Sequence, residues 1–297
     1  MPFWFNESTG ESRWEEPPSE AAGESTQEPE MTSRKRPRPV DGTQPAAADA
    51  TAAPQTARAD STPVETPTEN CPEHLLWKRK YLFKGVNQDL VERIKMDEVS
   101  AFSITETHSA ATMTALIWQG LQRCENFKRL YTGDSCILDG MACVGGNTIS
   151  FATKFSRVVS NELDPNRFSM LQHNATAVMG LRNVDFMNGS VLDVAFERGD
   201  YDVIFLDPEW GGPDYKDKTN LVLPISDQSM EDFCLDVLIR MPRVSLVALK
   251  LPLNYDNSFI EQFAKRNSLT YSFYTAGMKK MSLTLLTRIY GNGSRWG

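Results

Sequence analysis

Apolar and polar positions alternate between two periods along residues 72–291, and the switching predicts helices and strands in turn. Residues 89–94 and 105–119 carry helical spacing, with Thr105 the expected N-cap of the second segment. Cys136–Asp139 is a short apolar strand ending in an acid, followed by a loop and an apolar helix over 148–155. Arg157–Asn161 predicts a second strand ending near Glu162, after which Asp164 and Pro165 open a helix through Val178. Val184–Met187 and Tyr201–Leu206 read as strands three and four. A helix over 230–241, a fifth strand over 244–249 and a helix over 258–265 follow. Residues 270–274 and 281–290 alternate as strands suited to antiparallel pairing. Such alternation implies an α/β fold with a doubly wound, mostly parallel sheet, whose ligands lie at the carboxyl ends of its strands.

Composition separates this region from the first seventy residues, which contain no Leu or Ile but ten of the seventeen prolines. They also carry a net charge of −7 out of −8, leaving the remainder nearly neutral. A segment without Leu or Ile buries too little apolar area to offset its ordering entropy, so most of this tail is predicted to be disordered. Within it, residues 1–18 resemble the second half of a WW domain, a remnant without the first Trp of that family. Residues 19–71 read as a linker whose one dense basic run, 34–39, has the form of a nuclear-localisation signal. Residues 72–131 are expected to form a small helical lobe and 132–297 the sheet domain. No run of about eighteen apolar residues is present, and no charged-then-apolar leader pattern opens the chain. Five scattered cysteines and three histidines assemble no zinc-ligand spacing and no disulfide framework, which points to an intracellular protein without a metal.

Candidate chemistry sits in the loops after strands one, two and four. The first runs Asp139-Gly140-Met141-Ala142-Cys143-Val144-Gly145-Gly146-Asn147-Thr148. It has neither the glycine spacing of a dinucleotide fingerprint nor the Lys of a phosphate loop. Paired glycines allow the backbone to approach a ligand, Asp139 accepts hydrogen bonds, and Glu162 accepts both hydroxyls of a ribose. These two acids at successive strand ends suit S-adenosylmethionine, although a tight strand-to-helix turn with a capping acid uses the same residues. The loop after strand four, Asp207-Pro208-Glu209-Trp210-Gly211-Gly212-Pro213-Asp214-Tyr215, is poor core material. It resembles the [DNS]-P-P-[YFW] motif of methyltransferases that act on planar amines.

The strings VGGNTI and WGGPDY, with residues 94–97 and 102–105 upstream, make the resemblance specific. Over roughly Trp77 to Gly291 the chain resembles the trimethylguanosine synthase family, class I S-adenosylmethionine-dependent methyltransferases that modify guanosine N2 of RNA caps. The resemblance implies a Rossmann-like sheet with a closing antiparallel pair and a helical lobe over the cofactor. By position, Phe102, Thr105, Asp139, Gly145, Gly146, Asn147, Thr148, Glu162 and Ser190 would hold S-adenosylmethionine. Trp210 would stack on 7-methylguanine, Asp207 and the Pro208 carbonyl would hold the N2 amine, Lys95 with Lys250 would meet the cap phosphates, and Asn254 would be a further substrate-binding residue. Three positions depart from the family pattern: Glu209 replaces its second proline, Ser190 stands where an acid is common, and Leu253 where a basic residue is common. The implied substrate is 7-methylguanosine-capped small nuclear and nucleolar RNA, converted to the 2,2,7-trimethylguanosine form by a monomer in the nucleus or nucleolus. Small nuclear ribonucleoprotein proteins would be further partners, and no membrane is involved. An adenine-N6 or glutamine-amide methyltransferase, and a catalytically weak cap-binding scaffold, are the competing readings.

Overall fold

The computed structural model describes residues 3–5, 12–14, 70–218, 221, 223–278 and 280–289. The predicted linker and basic run lie outside the described residues, apart from Asn70 and Cys71. Phe3–Phe5 and Ser12–Trp14 pair as a short antiparallel hairpin.

A seven-stranded sheet organises the chain from Cys136 onward. Its strands are β1 (Cys136–Asp139), β2 (Arg157–Glu162), β3 (Val184–Asn188), β4 (Val203–Leu206), β5 (Leu246–Pro252), β6 (Leu269–Tyr274) and β7 (Met281–Arg288). The spatial order is β6-β7-β5-β4-β1-β2-β3. Strands β1 to β5 run parallel, and β7 inserts antiparallel between β5 and β6. Apart from β7, this is the strand order of a doubly wound sheet, with its direction of winding reversing between β1 and β4.

The central strands are buried on both faces and read as continuous apolar runs for that reason. Leu138, Ile204, Val247 and Leu249 pack toward one helical layer, while Ile137, Val203, Phe205 and Leu246 pack toward the other. The first layer is α8 (Val191–Arg198), α9 (Met230–Arg240) and α10 (Asn257–Arg266). The second includes α4 (Thr107–Arg123), which buries Met113, Ile117 and Leu121 against the sheet, and α6 (Gly146–Phe151), which contributes Phe151. Ahead of α4 stand α1 (Leu76–Leu82), α2 (Gln88–Arg93) and α3 (Ser100–Ser103), and α5 (Glu125–Leu130) follows it. Apolar residues of the segment ahead of α4, among them Leu82, Val91, Ile94 and Ile104, form a third cluster with Val144, Ile149 and Val178 of the sheet domain. That shared cluster anchors the small lobe beside the strand ends. Among the described residues no helix is long and apolar enough to cross a membrane.

Local structure departs from the sequence reading at three places. The N-cap of α4 is Glu106 rather than Thr105: its carboxylate accepts from the Ser109 and His108 amides at 2.8 and 2.9 Å. A side-chain carboxylate satisfies the free amides of the first turn and favours the positive end of the helix dipole. α8 has no counterpart in the predicted elements. Ser190 caps it, accepting from the Leu192 amide at 3.3 Å, and its short amphipathic stripe covers Tyr201 and β4. The helix opened by Asp164 ends its α-helical part as α7 (Pro165–Gln172) and continues as a π-helix over His173–Val178.

Candidate active site

The carboxyl ends of β1 and β4 open into a cleft of about 2500 Å³. Pockets for one small molecule usually hold about 300–1,000 Å³, so this cleft exceeds the space that one such ligand needs. β1 ends in Asp139 and β4 is followed by Asp207, which places two carboxylates at the point where the winding reverses. β2 supplies a third acid, Glu162, and its neighbour Asn161.

Lys250, a buried cation on β5, donates to Asp207 Oδ2 at 2.6 Å. Burial raises the Asp207 pKa, and the Lys250 charge and hydrogen bond oppose that rise. Asp139 lies fully buried beneath the cleft wall and accepts from the Thr148 hydroxyl at 2.6 Å through Oδ2. Its other oxygen, Oδ1, is buried without a hydrogen-bond partner among the described residues. Burial lifts the Asp139 pKa to about 7, the Thr148 bond lowers it, and the charges of Asp207 and Glu162 add to the rise. Three carboxylates face two cations, Lys250 on Asp207 and Arg167 on Glu162, which leaves the floor with excess negative charge. Such a floor accepts a ligand that carries positive charge and hydrogen-bond donors.

Glu162 is already engaged. Its Oε2 accepts from the Cys143 amide at 2.8 Å and its Oε1 from the Asp164 amide at 3.0 Å. Each carboxylate oxygen has a second lone pair, so a diol could still be received. Arg167 approaches Glu162 at 3.5 Å and Asp97 at 3.7 Å, which joins the lobe to the strand ends. The Asn161 side-chain amide donates to the Gly140 and Gly189 carbonyls, both at 3.0 Å, and so spaces the loops after β1 and β3.

The loop after β4 forms one wall. Trp210 meets Tyr215 edge-on, with ring centroids 5.0 Å apart, and Lys250 Nζ stands 5.2 Å from the indole centroid. The indole N–H is buried without an acceptor among the described residues. Asn254 ties this loop down by donating to the Tyr215 and Lys218 carbonyls at 2.9 and 3.0 Å. Together these features present a planar aromatic surface beside a carboxylate, an arrangement able to hold a flat base with an amino group.

Comparison with known proteins decides the family. The RNA cap guanine-N2 methyltransferase family matches residues 134–282, half of the chain. A trimethylguanosine synthase of Schizosaccharomyces pombe is 32% identical over 189 residues, covering 61% of this chain and 70% of the relative. The chain belongs to the RNA cap guanine-N2 methyltransferase family. It is a methyltransferase. An uncharacterized protein of Acanthamoeba polyphaga mimivirus is 29% identical over 71% of this chain and 85% of its own. Among solved structures, an O-methyltransferase from Bacillus cereus in complex with SAH is similar at 13% identity and TM-score 0.46. It covers 73% of this chain and 97% of that one.

Within this methyltransferase, Phe102, Glu162, Ser190, Asp207, Pro208, Trp210 and Lys250 line the cleft. The other residues singled out from sequence do not, and each has a structural position. Gly145 takes φ +103°, and a Cβ on Gly146 would lie 2.6 Å from the Thr105 carbonyl oxygen and from Ile104 Cγ1. Gly146 therefore admits the protein's own lobe, and Gly145 supplies the left-handed turn that leads into it. Asn147 donates to Thr105 Oγ1 at 3.0 Å in the same junction, and Thr148 joins Asp139 to Ser160. The Lys95 backbone is clamped by Asn174, which accepts from its amide at 2.8 Å and donates to its carbonyl at 2.9 Å. Asn254 is a loop clamp, as described above.

Sequence reasoning overlooked Asn161, Arg167 and the cleft-facing residues of α1. Asn161 follows an apolar strand directly and carried a readable signal, a buried amide at a strand end. The α1 residues carried none, because their neighbourhood arises only when the lobe docks.

Proposed function

We propose that this protein methylates guanosine N2 of 7-methylguanosine-capped RNA with S-adenosylmethionine as the donor, giving the 2,2,7-trimethylguanosine cap. One observation carries the reading: Asp207, Pro208 and Trp210 converge on a single wall of a cleft whose floor is acidic. The donor fits that floor through its sulfonium and ammonium charges, with Asp139 Oδ1 the buried acceptor that lacks a partner. Bound there, S-adenosylmethionine would supply an electrophilic methyl group.

The chain's own residues account for substrate positioning. Trp210 offers a face for stacking, and a base made cationic by N7 methylation gains about 0.5–2 kcal/mol over a neutral one. Exposed Glu209 adds negative charge to the same wall and favours that cation. Lys250 holds Asp207 Oδ2, which fixes the carboxylate's orientation and leaves Oδ1 as the acceptor for an amine N–H. The Pro208 carbonyl is a second acceptor nearby. Two acceptors on one amine orient its lone pair, and orientation is the main barrier-lowering contribution needed for an in-line transfer. Asp207 also stabilises the positive charge that grows on nitrogen. Small nuclear and nucleolar RNAs as substrates, nuclear placement, small nuclear ribonucleoprotein proteins as partners and a monomeric enzyme complete the proposal.

The test is mass spectrometry of cap dinucleotides after incubation with the protein and S-adenosylmethionine. One or two added methyl groups on the 7-methylated cap, with none on the unmethylated cap, is the expected result. Methylation of neither cap, with donor binding intact, would overturn the substrate and favour another amine. Cap binding with no turnover at all would favour a scaffold.

A further inference from the structure

The cleft wall contributed by α1 carries chemistry that the Asp207–Trp210 loop does not use. Trp77 and Tyr81, one helical turn apart, both line the cleft yet are 68% and 55% exposed. Large aromatic rings left open beside a binding cleft mark a contact surface. Lys78 and Lys84 stand with them, Lys216 and Lys218 line the cleft from the loop after Trp210, and Lys280 does so from the start of β7. Among the described residues none of these lysines pairs with a carboxylate. Of the acids on the same rim, Glu98 pairs with His74 at 2.7 Å and Glu106 caps α4, which leaves Glu209 and Asp217 against the five lysines. Burial, together with the charge of Lys280, lowers the Lys78 pKa, so these two cations sit close enough to repel. A bound anion relieves that repulsion. The acidic floor would expel the same anion, so charge sorts a polyanion to the rim.

Exposed rings interleaved with lysines suit single-stranded nucleic acid, because every base has a face to stack and every phosphate seeks an ammonium. A duplex offers no free base face to Trp77 or Tyr81. We infer that α1 and the lysine rim hold the first nucleotides of a single-stranded RNA as it leaves the cap site. The inference rests on the proposed reaction for the identity of the cap end. Charge complementarity, and continuity with the Trp210 cleft, favour RNA over a protein partner on this face.

The experiment compares steady-state methylation of a 7-methylguanosine cap dinucleotide, a capped unstructured decamer, and that decamer annealed to its complement, using the full chain. The single-stranded decamer is expected to show a KM about tenfold below the other two, with kcat unchanged. The double variant Trp77→Ala/Tyr81→Ala should raise KM for the decamer alone, and Trp77→Phe/Tyr81→Phe should restore it. Lys84→Gln/Lys216→Gln should flatten the log–log salt dependence of binding by about 0.7 for each phosphate that is no longer neutralised. Equal KM for dinucleotide and decamer in the unaltered protein would overturn the inference, whatever the variants do, and would leave the face to a protein. A variant that raised KM for both substrates equally would also overturn it. Absence of turnover on every cap would count against the proposed reaction. The rim is then read by fluorescence anisotropy of an uncapped decamer against its duplex, where equal affinity would overturn the inference.

Discussion

The loops after β1 and β4 leave adjacent strands at the same end of the sheet, and both are rich in small residues, yet they serve opposite purposes. The β1 loop lines the cleft only at Gly140, Met141 and Cys143, and then turns inward. Its Gly146 makes room for Ile104 and Thr105, and its Asn147 binds Thr105, so this end of the loop is a hinge plate for the helical lobe. The β4 loop turns outward and places Asp207, Pro208 and Trp210 on the cleft wall, with Asn254 and Lys250 bracing it from β5 and the turn that follows. Glycine content alone did not separate the two. What separates their glycines is the neighbour each meets: Gly146 meets backbone of the same chain, while Gly211 and Gly212 line the open cleft.

The comparison breaks most severely if the brace of the outward loop is removed. Lys250→Met leaves the Asp207 carboxylate buried without its counter-ion, and loss of one partner of a buried pair costs about 3–5 kcal/mol. Chemical denaturation should show that loss, and Lys250→Met/Asp207→Asn should recover much of it. A single variant as stable as the parent would mean that the pair does not hold the loop.

Trp210→Ala tests the wall itself. Removing a stacking platform costs about 1–3 kcal/mol, or roughly 5- to 150-fold in affinity for a 7-methylguanosine cap analogue. Fluorescence titration would measure it, and unchanged cap affinity would show that the indole does not touch the base. The inward loop has its own test in Gly146→Ala. The added methyl must displace the Thr105 carbonyl, and such overpacking costs about 1–3 kcal/mol. Limited proteolysis should then cut residues 70–131 faster; an unchanged rate would show that the lobe docks without this contact.

The smallest effect is one of pH. Asp139, with its pKa raised to about 7, keeps a proton in the native chain that the unfolded chain has lost, so the unliganded protein loses stability as pH rises from about 4 to about 7. A cationic ligand favours the carboxylate, so donor affinity should rise with pH and level off above about 7. Calorimetry between pH 6 and 8 should show about a few-fold change, which Asp139→Asn abolishes. A flat profile in the unaltered protein would remove Asp139 from the donor site.

Much of this architecture could be read directly from the residue pattern. β1 matches its predicted bounds residue for residue, because a short strand buried on both faces has few ways to look other than apolar. The antiparallel closure of β6 and β7 was equally visible in their alternation. α8 was not, since eight residues capped by a serine give a weak periodic signal between two strong strands. Glu106 was overlooked as a cap because a threonine stood one residue earlier and caps more often.

By itself the sequence determined the order of strands and helices, the acids at the strand ends and the Asp-Pro-Glu-Trp loop, since each depends on neighbours a few positions away. Only the tertiary structure decided which of these meet. Asp207 and Lys250 are 43 positions apart, and they meet because β4 and β5 pair in parallel register. Gly146 faces Thr105 because the lobe folds back over its strand. Trp77 and Tyr81 reach the cleft through the same docking. Contacts of this kind follow from packing across the chain, where the energy of a pair depends on surroundings that no local pattern records.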